Sequence, residues 1–220
     1  MNFLRVCLTI VVMLGMTCAL QAYQAGSTSL SLAAVASPLE LGTAWGEIYT
    51  DDQTAGLHHD SKLGHPGLGG ELQALYFIHP RVGIGASYQD QYFAKDLASG
   101  WYLNTHTRMQ NIMAVGHVFL TPDSVYKLYV PFGLGFAHTR FTMDFRPIGD
   151  NVRHFNYTGF AYYAGIGVER EVAKHFSLGL EGRYNGNRFH DATTLSNGHR
   201  ISVYPKANFI SVLVRLIYTF

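Results

Sequence analysis

Long apolar runs, charge and cysteine are all scarce in this chain, and each scarcity removes a class of protein. Beyond residue 20 no apolar stretch approaches the ~20 residues that a spanning helix needs, so crossing a membrane by helices is excluded. Charged residues make up 14% of the sequence and nearly balance at net +1, which leaves no basic footprint for nucleic acid. The two cysteines, Cys7 and Cys18, both precede residue 20, so the remainder can build neither a disulfide framework nor a thiolate metal site. Phosphate-loop and serine-nucleophile-elbow patterns are missing as well. From these absences we expect no cofactor, no metal and no catalytic residue, and a protein that is not an enzyme.

The one apolar run that does occur lies at the N-terminus. Arg5 supplies the positive charge, and Val6 to Leu20 is almost unbroken in its hydrophobicity, the length of a secretory signal and too short to span. We take residues 1–22 as the signal peptide. Cleavage can follow Ala22 or Ala25, and the best small-x-small site, Ala34-Val35-Ala36, would place it as late as residue 36 and start the mature domain, 37–220, at Ser37.

What the rest of the chain has is alternation. From residue 210 onward Ile210, Val212, Val214, Leu216, Tyr218 and Phe220 alternate with Ser211, Leu213, Arg215, Ile217 and Thr219, the period-two signature of a strand with one apolar and one mixed face. Further segments repeat the pattern over residues 39–49, 67–78, 82–94, 104–120, 127–141, 154–169 and 176–189. The breaks between them alternate in length. Long polar stretches at 50–66, 95–103, 142–153 and 190–206 are interleaved with short turns at 79–81, 121–126 and 170–175, the second holding Pro122-Asp123-Ser124.

A chain ending on Phe220, with Tyr218 before it and aliphatics at each second position further back, resembles the closing strand that the barrel-assembly machinery of bacteria recognises. Val212, Val214, Leu216, Tyr218 and Phe220 would form that signal. The run Tyr129-Val130-Pro131-Phe132-Gly133-Leu134-Gly135-Phe136 resembles the PYVGxGxG strand of OmpA-type barrels. On these residues the chain resembles small outer-membrane proteins of the OmpA, OmpX, OmpW and opacity-protein type. The resemblance implies an all-β, eight-stranded antiparallel up-and-down transmembrane barrel in the bacterial outer membrane, with both termini in the periplasm and four long loops outside.

In such a barrel an Arg or Lys facing lipid near the midplane costs about 2 to 4 kcal/mol, so Arg108, Arg183 and Arg215 are expected to point inward. Glu40, Glu71, Glu169 and Glu181 share the inward parity, and together these residues are expected to form a charge network that plugs the lumen. An eight-stranded barrel is only wide enough for side chains to fill. The expected partners are outer-membrane lipid and lipopolysaccharide, the assembly machinery, and host or surface ligands at the loops. Envelope integrity or adhesion is the implied role, with Trp101, Tyr102, Phe145 and His154 as loop candidates for contact.

Three alternatives compete. Lipid A deacylases have a similar size and strand count, but the segment corresponding to their His-x-Ser-Asn motif reads Tyr184-Asn185-Gly186-Asn187 and lacks both base and nucleophile. A narrow channel would need a lumen lined by aliphatics. A soluble lipocalin-like carrier is suggested by Gly42-Thr43-Ala44-Trp45, one residue longer than the Gly-x-Trp spacing of such carriers, but such a carrier would not show the sharp alternation of loop lengths. Histidines at 58, 59, 65, 106, 154, 190 and 199 gather in the expected outer region. Their spacing matches no ligand motif, and we read them as solvated loop side chains.

Overall fold

The computed structural model describes residues 23–41, 49–50, 67–99, 101–144, 152–190, 192–196, 199–203 and 206–220. Among these residues there are eleven strands and no helix: β1 (Thr28–Glu40), β2 (Tyr49–Thr50), β3 (Gly67–His79), β4 (Val82–Ser99), β5 (Trp101–Phe119), β6 (Tyr126–Asp144), β7 (Val152–Ala173), β8 (Phe176–Phe189), β9 (Ala192–Ser196), β10 (His199–Val203) and β11 (Lys206–Thr219). Eight of them close into an antiparallel barrel in the order β1-β11-β8-β7-β6-β5-β4-β3. Closure leaves no unpaired strand edge, because β1 bonds to β11 on one side and to β3 on the other.

Side-chain alternation decides which face of each strand is wet with polar groups. On β8, Leu178, Leu180 and Tyr184 are exposed on the barrel's outside, while Ser177, Glu181, Arg183 and Asn185 are buried inside. The outside is therefore apolar, a surface suited to lipid and not to water. Aromatic rings gather at the end where the chain makes its tight turns. There Tyr218 packs edge-on against Phe176 at 5.0 Å and against Phe220 at 4.8 Å.

Four expectations are corrected. The strand expected over residues 39–49 lies earlier, over Thr28–Glu40, and the Ala34-Val35-Ala36 tripeptide is in its middle, with Ala34 opposite Val214 and Ala36 opposite Val212. A bulge between Ala36 and Leu39 shifts the register, so the exposed set passes from Leu30 and Leu32 to Leu39 and Leu41 and hides the continuity of the strand from a parity reading. The second expected loop, 95–103, is instead a hairpin whose strands stay paired up to Ser99 opposite Trp101. The fourth, 190–206, holds β9 and β10, which join β2 from the first loop in a small separate sheet.

The fourth correction concerns the facing of β5. Met109, Met113, Val115 and Phe119 point inward and are buried, whereas Arg108 points outward with a side chain 59% exposed. The physical reason is depth. Arg108 lies beyond the apolar rows of the wall, where an outward charge costs about 0 to 1 kcal/mol instead of the midplane penalty. Its guanidinium pairs there with Asp90 on β4, at 2.5 Å from Nη2 to Oδ2.

Candidate functional site in the barrel lumen

The centre of the lumen is an ion-pair quartet contributed by three strands. Glu71 comes from β3, Glu181 and Arg183 from β8 two residues apart on the inward face, and Arg215 from β11. Arg183 reaches Glu71 with Nη1 at 2.5 Å and Nη2 at 3.1 Å, and donates through Nε to Glu181. Arg215 donates through Nη2 to Glu71 at 2.5 Å and through Nε to Glu181 at 3.0 Å. Each carboxylate thus bridges both guanidiniums, and the set is neutral. All four side chains are essentially inaccessible to solvent.

Such burial is tolerable only when the remaining donors and acceptors are met as well. Here they are. Arg215 Nη1 donates to Ser31 and to Gln73, each at 3.1 Å, and the Tyr129 hydroxyl donates to Glu181 at 2.9 Å. The Arg183 guanidinium lies 3.9 Å over the Tyr163 ring. Two inward glycines make room for these rings. A Cβ on Gly167 would stand 2.2 Å from the Tyr129 ring opposite it, and one on Gly133 would stand 2.3 Å from the Tyr163 ring.

Toward the turn end the lumen is closed by a residue from outside the barrel strands. Tyr23 lies 3.9 Å from Phe77 in a near-parallel stack, with Phe119 at 5.0 Å and the Lys127 ammonium 4.3 Å over its ring. Its hydroxyl donates to Glu169 at 2.5 Å. Burial and the adjacent carboxylate push this hydroxyl well above the usual tyrosine range, so it stays a donor. The segment is tied down by Gly26 N–H donating to the Phe77 carbonyl at 2.8 Å. His117 continues the layer, stacking 4.8 Å from Tyr129.

Toward the other end the filling turns to amides and hydroxyls, then to rings. Ser37 and Ser211 share a hydrogen bond of 2.7 Å, Gln91 donates to Ser37 at 2.8 Å and Asn185 to Ser211 at 2.9 Å. Beyond them Phe93 meets Phe209 edge-on at 5.5 Å.

Of the residues expected in the lumen network, Glu71, Glu181, Arg183 and Arg215 meet in one cluster. Glu169 is buried nearer the turn end, bonded to Tyr23 and separate from the quartet. Arg108 is outside the barrel. The backbone of Glu40 pairs with Phe209, and its side chain lies outside the described residues. So do His58, His59, His65 and Phe145, and the side chains of Trp101, Tyr102, His154 and His199. Tyr23, Tyr129, Tyr163 and His117 join the filling without a place in the expected network. The signal that could have found His117 is the spacing Thr107, Asn111, His117 on β5, polar residues of one parity opposite Ile112, Ala114 and Val118.

Closed strands, an apolar exterior and a charged, filled interior define an integral membrane β-barrel. The model of the family described as outer membrane protein beta-barrel domain matches residues 10–212, and the chain belongs to that family. Its place is the bacterial outer membrane. Solved structures agree in fold. OprG from Pseudomonas aeruginosa is similar at a TM-score of 0.57 and 14% identity, covering 92% of this chain and 99% of its own. Ail, the attachment invasion locus protein of Yersinia pestis, is similar at 0.50 and 13%, covering 89% and 99%. Comparison with curated protein sequences found no match.

The expectation that the protein is not an enzyme is corrected by the same comparison. The similar solved structures include the outer membrane protease OmpT from Escherichia coli, at a TM-score of 0.45 and 11% identity, covering 94% of this chain and 100% of that one. Fold membership does not set activity.

Proposed function

We propose that the protein works through its exterior and not by passage through its lumen, as a surface-interaction barrel whose external end meets ligands outside the cell. The observation that carries this reading is the filled lumen: the Glu71, Glu181, Arg183 and Arg215 quartet occupies the middle, and ring layers lie on both sides. The long strands support it too. β4 and β5 run 18 and 19 residues, against roughly 9 to 11 for a crossing, so their excess stands clear of the bilayer on the side of β2, β9 and β10. Ail, which has this fold, is an attachment protein by name and has been solved with the heparin analogue sucrose octasulfate. We carry attachment over from it as a role, not as a ligand.

The test pairs two readouts on one protein. In planar bilayers the refolded barrel should give no steady conductance, and cells displaying it should adhere to a glycan-coated surface more than cells whose 192–203 segment is replaced by a short turn. Stable channel steps, or adhesion indifferent to that replacement, would sink the reading.

A further inference from the structure

The outer wall of β4 to β8 carries an amphipathic groove at the boundary between apolar and charged rows. Register defines three rows. The first runs Tyr88, Ile112, Phe136, Phe160 and Arg188; the second Asp90, Gln110, His138 and Thr158; the third Tyr92, Arg108, Arg140 and Asn156. Between the first two rows lies an open groove of about 540 Å³, with Ile112, Phe136 and Phe160 on its apolar side and Gln110, His138 and His190 on its polar side. Phe136 is 77% exposed, the most exposed large apolar side chain among the described residues.

Among the described residues the charges around the groove do not cancel. Arg108 and Arg140 stand directly opposite each other on β5 and β6, an arrangement that repels. Asp90 neutralises Arg108. Arg140 is met, among the described residues, by the amide oxygen of Asn156 at 3.3 Å, and Arg188 by that of Asn208 at 3.1 Å. Arg188 also faces Lys206 across the β8–β11 pair. Two guanidiniums that meet no acid among the described residues thus flank one apolar groove, Arg140 beyond its polar row and Arg188 beside Phe160.

We propose that this groove binds a phosphorylated saccharolipid of the outer leaflet, of the lipid A class. Its acyl chains would lie over Ile112, Phe136 and Phe160, and its phosphates would be met by Arg140 and Arg188. Guanidinium binds phosphate as a planar fork. Cations on two sides of one groove suit a headgroup with two phosphates better than a phospholipid with one. The inference is independent of whether the lumen conducts or the external end adheres.

Native mass spectrometry of the detergent-solubilised full-length mature protein tests it, with bisphosphorylated hexa-acyl lipid A, its dephosphorylated form and phosphatidylglycerol as probes. The wild type should retain the bisphosphorylated lipid with roughly tenfold preference over the dephosphorylated one, the order expected of two exposed charge pairs. Arg140→Gln with Arg188→Gln should remove that preference, and Phe136→Ser should weaken retention of both forms of lipid A. Folding of each variant is checked by the gel mobility of the unboiled protein. Equal retention of the two forms, an unchanged preference in the double variant, or phosphatidylglycerol retained as well as lipid A would overturn the proposal.

Discussion

Arg215 has four partners: Glu71, Glu181, Ser31 and Gln73. Replacing it by Met keeps most of the volume but leaves two buried carboxylates sharing Arg183. Removing one member of a buried ion set costs about 3 to 5 kcal/mol, mostly because the groups left behind are uncompensated. Arg215→Met should therefore lower unfolding stability in urea, measured in lipid vesicles, by about that amount. Glu71→Gln in the same background should recover part of the loss, since it removes one of the stranded charges. A loss under about 0.5 kcal/mol would mean that water reaches the quartet and solvates it.

At the scale of the element, β1 is the informative case. Its residues up to Ala36 bond to both β11 and β3, so cleavage after Ala36 would open the barrel between those strands. Cleavage after Ala25 would keep the strand but remove Tyr23, which stacks on Phe77 and bonds Glu169. Cleavage after Ala22 keeps both, and we propose it as the processing site. Intact-mass measurement on protein taken from outer membranes should give the mass of residues 23–220. A mass for 26–220 or 37–220 would refute the assignment. The closing strand β11 turns Val212, Val214 and Leu216 outward and keeps Tyr218 and Phe220 at the rim. Readable there by the assembly machinery, they remain our proposal for its signal.

At the scale of the molecule, closure and a filled centre act together. Each barrel strand pairs on both sides, and the quartet ties β3 to β8 and to β11 across the lumen, contacts that no pair of neighbouring strands could make. Opening such a barrel must break ladder and lumen at once, which places a high barrier on unfolding. The refolded protein should therefore resist SDS unless boiled and migrate differently on gels with and without heating. Identical mobility would mean that the closed barrel does not survive outside the bilayer.

Period-two alternation alone determined that the chain is β, which segments from β3 onward form the wall, and that Glu71, Glu181, Arg183 and Arg215 face one side. That much is local, because parity along a strand is set by the pleat. It does not report depth, so Arg108 read as a lumen residue although it lies beyond the apolar rows, where an outward charge is cheap. Nor does it survive a bulge, so parity alone starts the first strand at Leu39, after the register shift, although β1 begins at Thr28. Only the closed barrel decided which inward residues meet: Glu71 and Arg183 are 112 positions apart and touch because β3 and β8 face each other across the lumen. Tyr23 carries no pattern of its own. It becomes a plug because the turn end of the barrel leaves a ring-sized space beside Phe77, Phe119 and Glu169, and that space exists only once the strands have closed.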